Sequence, residues 1–223
     1  MRTNVLLNTY AFHEPWAQSA LTGILHPTMR VTVVAFSFNA GMDEMQAASE
    51  GHRRDLLPAF AAYGIPQAQI ELVNWFLDTP ETARKKIRNS DVLFFTGGWP
   101  DHMMYRLHRW GLVELIESFD GIVMGCSAGA MVQVQDYHIT PDADYSDFGY
   151  YHGMKMLDRF DIEVHYKETE LQHRSIHRVL REKKRPVIAV YNDGGVIVRG
   201  DQISTMGRVR LFLLPEGEHA HLV

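Results

Sequence analysis

The fold of this 223-residue chain is indicated most clearly by the stretch Ile122-Val123-Met124-Gly125-Cys126-Ser127-Ala128-Gly129-Ala130. Its apolar start predicts a short buried strand, and the small residues after the serine are compatible with the start of a helix. The pattern Gly-x-Ser-x-Gly between strand and helix predicts a nucleophile elbow, a sharp turn that exposes a serine. Glycines suit this turn because its backbone is strained and its helix and strand crowd together. The sequence therefore predicts Ser127 as a nucleophile.

A second apolar strand ends about thirty residues earlier in the sequence Asp91-Val92-Leu93-Phe94-Phe95-Thr96-Gly97-Gly98. Backbone N–H groups that no side chain obstructs can approach a reacting carbonyl closely. The Gly98 amide and the Ala128 amide, which follows the nucleophile at a helix N-terminus, are therefore predicted to form an oxyanion hole. The alternative is that the two glycines merely end a strand.

Short apolar runs alternate with longer segments of helical periodicity over most of the chain. Strands are predicted over 5–7, 31–36, 70–73, 92–95, 122–124 and 162–164, and helices over 15–25, 43–63, 80–88, 101–117 and 168–183. Such alternation implies crossover connections, and therefore an α/β three-layer sandwich with a mostly parallel central sheet. Turn signals at 192–194, 200–201 and 207 predict a C-terminal β-meander with strands over 187–191, 195–198, 202–205 and 209–214.

Composition narrows the class of protein. A chain of 223 residues with 46% hydrophobic content can bury a full core, so residues 1–223 are expected to form one domain. A net charge of -5 argues against nucleic-acid binding, which usually needs a basic face. No stretch approaches the roughly 20 apolar residues of a membrane span, and no signal-peptide pattern is seen. Because Cys126 is the single cysteine, no intrachain disulfide can form, and we expect a cytoplasmic protein.

A serine hydroxyl needs a base, and His165 is the favoured candidate among twelve histidines. His165 follows a predicted strand, so we expect it at the same edge of the sheet as Ser127. The carboxylate that would orient it is left open by the residues: Asp136, Asp142, Asp144, Asp147 and Glu168 are candidates, each of which could equally cap a turn.

Two other chemistries receive less support from the sequence. His173 and His177 stand four apart on a predicted helix, but the pair lacks the glutamate of a His-Glu-x-x-His metal site. We therefore expect no metal and no organic cofactor. Cys126 could serve as a thiol nucleophile, but the central residue of the elbow is Ser127, so Cys126 is expected to pack inside.

The chain resembles peptidase family S51, the group of the aspartyl dipeptidase (peptidase E) and cyanophycinase, which has a class I glutamine amidotransferase-like fold. The resemblance rests on the strand into Gly97-Gly98, the Gly125-Cys126-Ser127-Ala128-Gly129-Ala130 elbow, the strand ending near His165 and the closing segment from Asn192. It implies a catalytic triad of Ser127, His165 and Asp142, with Gly98 and Ala128 as oxyanion donors.

The sequence departs from this family pattern in the residues expected to bind substrate. Trp99-Pro100 stands where these peptidases usually have asparagine after the two glycines, and would shape the lip of the pocket. An arginine that pairs with the substrate aspartate in the family aligns near Gln172, with Arg174 and Arg178 close by. We therefore name Trp99, Arg174 and Arg178 as substrate-binding candidates, although an amide is a poor replacement for a bidentate arginine.

The expected function is that of a serine peptidase-like hydrolase that cleaves a peptide or amide bond in a small, dipeptide-like substrate. One alternative is a non-catalytic binding or regulatory module on the same scaffold. Others are an amidotransferase-type activity of Cys126 and a small-ester hydrolase. No nucleic-acid or membrane partner is expected, and the apolar segment Trp75-Phe76-Leu77 suggests a homodimer interface or ordinary core.

Overall fold

The structure, a computed structural model, describes residues 1–39 and 51–214, without the side chains of residues 51–53. The strands are β1 (Thr3–Leu7), β2 (Val31–Val34), β3 (Ile70–Val73), β4 (Val92–Phe95), β5 (Ile122–Cys126), β6 (Asp136–Ile139), β7 (Gly149–His152), β8 (Asp161–Glu163), β9 (Val187–Arg199) and β10 (Gln202–Phe212). The helices are α1 (Pro15–Thr22), α2 (Gly51–Ala61), α3 (Pro80–Arg88), α4 (Pro100–Arg109), α5 (Val113–Glu117), α6 (Ala128–Met131) and α7 (Glu170–Lys183).

The central sheet is mixed and mostly parallel. Its strand order is β10-β9-β1-β5-β4-β2-β3, and β8 pairs with β9 outside that path. The pairs among β1, β5, β4, β2 and β3 are parallel, whereas β1/β9 and β9/β10 are antiparallel. Crossover helices cover both faces, as they must when buried strands of a parallel sheet have no solvated side. The expected α/β three-layer architecture is confirmed.

Apolar side chains form a core on each face of this sheet. Leu21 of α1 and Phe60 of α2 pack with Phe94 on one face. Ile87 of α3 and Leu107 of α4 belong to the core of the other face. The inner strands β1, β2, β4 and β5 are buried on both sides, which matches their continuous rather than alternating apolar residues.

Strands β1 and β8 lie end to end along the same edge of β9. Residues Gly195–Arg199 of β9 pair with β1, and residues 187–189 pair in parallel with β8. Since β9 is antiparallel to β1, β8 runs toward β1, and the carboxyl ends of the two strands face one another. His165 therefore lies at the edge of the sheet that carries Ser127, as predicted. Its strand β8, however, does not lie beside β1; it pairs with β9 beyond the carboxyl end of β1.

The C-terminal segment is antiparallel, as expected, but its boundaries differ from the four short strands of a meander. It forms one long hairpin of β9 and β10, with an irregular register between Gly207 and Val209. Gly194 and Gly207 are not turn residues; a Cβ on either would lie 1.9 Å from a backbone oxygen of the opposite strand. The glycines allow the two strands to approach closely at a bulge. In the sequence, glycines at such a bulge look the same as glycines of a turn.

Two predicted helices also differ. The helix predicted over 101–117 is divided into α4 and α5 at Gly111, which has φ 60°. Residues 43–50 of the helix predicted over 43–63 lie outside the described residues. By contrast, α3 begins at Pro80 with Thr79 as its N-cap, as predicted, because the Thr79 side chain accepts a hydrogen bond from the Thr82 N–H.

Two further observations bear on partners. Trp75 stacks on Trp110 with ring centroids 4.7 Å apart, whereas Leu77 is 74% exposed. The homodimer suggested by this segment stays a prediction. Among the described residues, none of the helices is long and apolar enough to cross a membrane.

Candidate active site

The turn between β5 and α6 has the strained backbone of a nucleophile elbow. Ser127 has φ 51° and ψ −111°, a combination that a non-glycine residue rarely adopts. A Cβ on Gly125 would lie 2.0 Å from the Gly129 oxygen, and a Cβ on Gly129 would lie 2.1 Å from the Phe95 oxygen. Both glycines are therefore needed for α6 to pack directly on β4 and β5. This packing presents Ser127 at the carboxyl edge of the sheet.

The imidazole of His165 contacts the Ser127 hydroxyl. The distance between His165 Nε2 and Ser127 Oγ is 2.9 Å, which is the length of a hydrogen bond. His165 itself has φ 51°, so the chain turns sharply two residues after β8. The next residue returns to the sheet, since the Tyr166 N–H donates to the Val190 oxygen at 3.0 Å. A candidate nucleophile and a candidate base therefore share one open edge.

The group bonded to the other imidazole nitrogen is an amide rather than a carboxylate. His165 Nδ1 lies 3.0 Å from Asn192 Oδ1. Asp142, which was expected there, instead accepts hydrogen bonds through Oδ1 from the Asp144 and Tyr145 N–H groups, at 2.8 and 2.9 Å. The structure therefore places Asp142 in a capped turn on the cavity wall and does not bring it to the imidazole.

The other acidic candidates are also placed elsewhere: Asp147, for example, accepts a hydrogen bond from the Ser146 hydroxyl at 2.7 Å. Asp136 Oδ1 lies 2.6 Å from His152 Nδ1, and Glu168 accepts a hydrogen bond from the Tyr191 hydroxyl. This bond lowers the pKa of Glu168. Asp144 is exposed on the cavity wall.

Asn8 connects the three strands that meet at this site. It follows β1, is 1% exposed, and accepts the backbone N–H of His165 at Oδ1, over 2.9 Å. Its Nδ2 donates to the Val190 oxygen at 2.9 Å and to Asn192 Oδ1 at 3.1 Å. The side chain of Asn8 thus fills the gap where the ends of β1 and β8 face one another.

The two predicted oxyanion donors lie at neighbouring strand ends. Gly98 has φ 135°, and a Cβ there would lie 2.4 Å from the Ser37 oxygen, so the position requires glycine. Ala128 is the first residue of α6 and is fully buried. Among the described residues, neither backbone N–H has an acceptor, which leaves both free for a ligand oxygen.

Cys126 is packed inside, as expected. It is 3% exposed, and its thiol donates to the Asn8 backbone oxygen at 3.2 Å. Burial raises the pKa of the Cys126 thiol well above its ordinary value. Because the thiolate is the reactive form of cysteine, this environment suppresses nucleophilic chemistry.

A cavity of about 580 Å³ adjoins Ser127 and His165. Its wall includes Gly98, Pro100, Met131, Pro141, Tyr145 and Leu171. Acidic and basic side chains also line it: Lys167, His138, Asp142, Asp144 and Glu163. A volume of this size suits a small ligand.

The three predicted substrate-binding residues do not line this cavity. Trp99 stacks on His102, with ring centroids 6.3 Å apart. Arg174 pairs with Glu170 at 3.5 Å, and Arg178 pairs with Glu182 at 3.0 Å, both along α7. Each arginine thus pairs with a glutamate four residues away on the exposed face of α7. Their positions in the sequence did not show that this face points away from the cavity.

A buried ion cluster supports the back of the cavity. His138 lies 3.0 Å from Asp161 through Nδ1 and 2.7 Å from Glu163 through Nε2. Burial opposes a charge on His138, but the two carboxylates outweigh it, and the pKa of His138 is raised to about 10. Gln172 Nε2 links this cluster to the site, since it donates to Glu163 at 2.9 Å and to the His165 backbone oxygen at 3.0 Å.

Sequence reasoning missed Asn8, Asn192 and the supporting role of Gln172. Asn8 follows an apolar strand that pairs with the elbow strand, so a polar residue directly after β1 was an available signal. Asn192 had no comparable signal, because its position depends on β9 continuing through a segment that resembles a turn.

Comparisons with known proteins give a family match and similar folds. The model of peptidase family S51 matches residues 52–206. One similar solved structure is a "Putative Peptidase E Protein" from Listeria monocytogenes EGD-e, with a TM-score of 0.67 and 17% identity, covering 93% of this chain and 99% of that one. A peptidase from an acI-B1 Actinobacterium has a TM-score of 0.66 and 13% identity, covering 97% and 96%. The comparison with curated proteins gave no match. Since the family model covers more than half of the chain, the protein belongs to peptidase family S51 and is a serine-type peptidase.

Proposed function

We propose that this enzyme cleaves a peptide or amide bond in a small, dipeptide-like substrate by acyl transfer to Ser127. The observation that carries the proposal is the 2.9 Å contact between Ser127 Oγ and His165 Nε2 at a strained elbow. A nucleophile within hydrogen-bonding distance of a base that a third group orients is the arrangement that activates serine.

In the proposed reaction, Ser127 Oγ attacks the substrate carbonyl while His165 Nε2 takes the hydroxyl proton. The resulting imidazolium then donates this proton to the leaving amine, and an acyl-enzyme remains on Ser127. A water molecule attacks the ester in the same way, with His165 again as the base. Asn192 Oδ1 accepts the Nδ1–H bond throughout and keeps the ring in position.

The developing oxyanion is proposed to bind the N–H groups of Gly98 and Ala128. Support comes from the absence of protein acceptors for these two groups in the described chain and from the glycine required at position 98. Donors that are already oriented stabilise the transition state without reorganisation. Neither a metal nor an organic cofactor has a role in this scheme.

The proposal is tested with a fluorophosphonate probe and mass spectrometry of the modified peptide. We expect the probe to label Ser127 in the wild-type protein, and Ser127→Ala to abolish both labelling and dipeptide hydrolysis. Loss of a triad nucleophile typically costs several orders of magnitude in rate, on the order of 10⁶-fold in a well-studied serine protease. Ser118→Ala is the matched control, because Ser118 is exposed and its hydroxyl only caps the Leu115 oxygen.

Three outcomes would contradict the proposal. A folded wild-type protein that the probe does not label would indicate a binding module without hydrolytic activity. Full turnover by Ser127→Ala would exclude Ser127 as the nucleophile. Loss of wild-type activity through alkylation of Cys126, with activity retained in Ser127→Ala, would indicate thiol chemistry instead.

A further inference from the structure

We infer that Asn8 is a positioning residue that fixes the tautomer of His165 and so makes Nε2 the basic nitrogen. The inference deepens the proposed function and rests on it, because the tautomer matters for catalysis only if His165 is the base for Ser127. It follows from the donors and acceptors of two amides placed in series.

The orientation of the Asn8 amide is set by the backbone. The His165 N–H can only donate, so the atom of Asn8 that it contacts at 2.9 Å must be Oδ1. The Val190 carbonyl can only accept, so the atom that it contacts at 2.9 Å must be Nδ2. These two contacts agree, and neither is satisfied if the amide is rotated by 180°.

Asn8 in turn sets the orientation of the Asn192 amide. Asn8 Nδ2 is a donor and lies 3.1 Å from the Asn192 side chain, so it requires the oxygen of Asn192 on that side. The same Oδ1 lies 3.0 Å from His165 Nδ1 and can only accept there. His165 Nδ1 must therefore carry the proton, which leaves the lone pair of Nε2 facing the Ser127 hydroxyl.

Asn8 is needed because the group that orients His165, the Asn192 side chain, is an amide. A carboxylate can only accept, and so selects the Nδ1–H tautomer in any orientation. An amide can present either oxygen or NH₂, and the wrong choice would protonate Nε2 and turn the base into a donor. Asn192 is exposed, whereas Asn8 is 1% exposed and its backbone oxygen accepts the Cys126 thiol. The buried amide is therefore the fixed reference for the exposed one.

The test is Asn8→Asp, which keeps the acceptor for the His165 N–H but removes Nδ2. The new carboxylate faces the Val190 oxygen and the Asn192 oxygen, and we expect the Asn192 amide to rotate and donate to it. Its NH₂ then also faces His165 Nδ1 and favours the Nε2–H tautomer. Asn4→Asp is the matched control, because Asn4 is also buried on β1 but bonds to Gln133 at the other end of the strand.

The readout is the ¹⁵N spectrum of the His165 imidazole at about pH 8.5, where an ordinary imidazole is neutral. The His165→Gln spectrum assigns the signals. We expect Nδ1–H in the wild type and in Asn4→Asp, and Nε2–H in Asn8→Asp. The rate of fluorophosphonate inactivation is expected to fall on the order of 10³-fold in Asn8→Asp, since a wrong tautomer disables the base, and to be unchanged in Asn4→Asp.

An Nε2–H signal in the wild type would overturn the inference without any variant. So would an Asn8→Asp protein that retains Nδ1–H and the wild-type inactivation rate. If Asn8→Asp does not fold, Asn8→Ala replaces it and should give a mixture of both tautomers. Failure of the proposed function is seen separately: the wild type would then show Nδ1–H and still not react with the probe.

Discussion

The imidazole of His165 is held by a neutral group at Nδ1, the Asn192 oxygen at 3.0 Å. An amide oxygen can accept the Nδ1–H bond and hold the ring in position. It stabilises the imidazolium less than a carboxylate would, because it carries no net charge. In the proposed reaction, the site therefore relies on orientation of His165 more than on electrostatic support for its protonated form.

Asn192→Asp is expected to move the acidic limb of the pH profile of probe inactivation upward by about one pH unit. The reason is that an opposite charge in contact with an imidazole favours its protonated form, typically by about one unit or more. The base then becomes available only at higher pH. The measurement is the inactivation rate of Ser127 as a function of pH in both proteins.

Thr9→Asp serves as the control for this variant. The Thr9 hydroxyl donates to the Asn192 backbone oxygen at 3.1 Å. Thr9→Asp therefore adds a charge near Asn192 without contact to the His165 imidazole. Its shift is expected to be smaller than that of Asn192→Asp. Equal shifts would show that general charge, rather than the Nδ1 contact, controls the base.

At the scale of single residues, the sequence predicted Ser127 and His165 because each has a local signal: an elbow pattern and a strand end. Asn192 could not be predicted in the same way. Its neighbours Asp193 and Gly194 form a hairpin signal, and only the pairing of β9 with β10 shows that the strand continues through them. Asp142 was named from family resemblance, and its local turn contacts were the alternative that the residues themselves allowed.

At the scale of elements, the elbow depends on direct contact between α6 and the strands beneath it. Gly129→Ala is expected to lower the free energy of unfolding by about 1–3 kcal/mol, or more if the backbone cannot shift, because overpacking forces rearrangement. The added Cβ would lie 2.1 Å from the Phe95 oxygen, which is backbone and cannot rotate away. The measurement is urea denaturation followed by tryptophan fluorescence.

Gly23→Ala is the matched control for this substitution. Gly23 ends α1 with φ −79° and ψ −1°, and nothing lies within 4 Å of a Cβ built there. Alanine at such a position is expected to be neutral or to stabilise by about 0.4–1 kcal/mol through the unfolded state. Equal stability of the two variants would show that α6 does not pack as closely as the structure indicates.

Strands with continuous apolar sequences were predictable, and so were helices with clear caps, such as α3 with Thr79 and Pro80. Boundaries set by tertiary packing were not. The break at Gly111 between α4 and α5 looks like an ordinary helical glycine in sequence, and β8 gives no sign that it lies beyond the end of β1. The fold class follows from periodicity, whereas the edge on which each strand ends depends on long-range pairing.

At the scale of the whole molecule, a buried positive charge connects the two-stranded antiparallel sheet formed by β6 and β7 to the central sheet. His138 of β6 is fully buried between Asp161 and Glu163, both of which belong to or end β8. Burial alone would keep this imidazole neutral, but the paired carboxylates raise its pKa to about 10. The folded protein therefore holds a proton at His138 that the unfolded chain, with an ordinary value of 6.5, releases near neutrality.

This difference predicts that stability falls as pH rises above about 6.5, the ordinary histidine pKa. A group with a raised pKa in the folded state stabilises fully below its unfolded pKa, and the contribution is lost as pH rises toward about 10. Between about pH 6.5 and 8.5 the slope should be on the order of 1 kcal/mol per pH unit, because the unfolded chain binds one proton fewer. Urea denaturation measures the slope, and its part below about pH 7.5 is free of any contribution from Cys126, which stays protonated there in the unfolded chain.

One competing source of such a slope is the pair of Asp136 and the exposed His152, 2.6 Å apart. His152→Gln should leave the slope nearly unchanged, because exposed pairs contribute little. The protonation state can also be seen directly, since the ¹⁵N spectrum of His138 should show both ring nitrogens protonated at about pH 8.5, where an ordinary histidine is neutral. A stability that stays constant over this range, or a neutral His138 at its upper end, would mean that the carboxylates do not hold the proton and that the cluster beneath the site is uncharged at its centre.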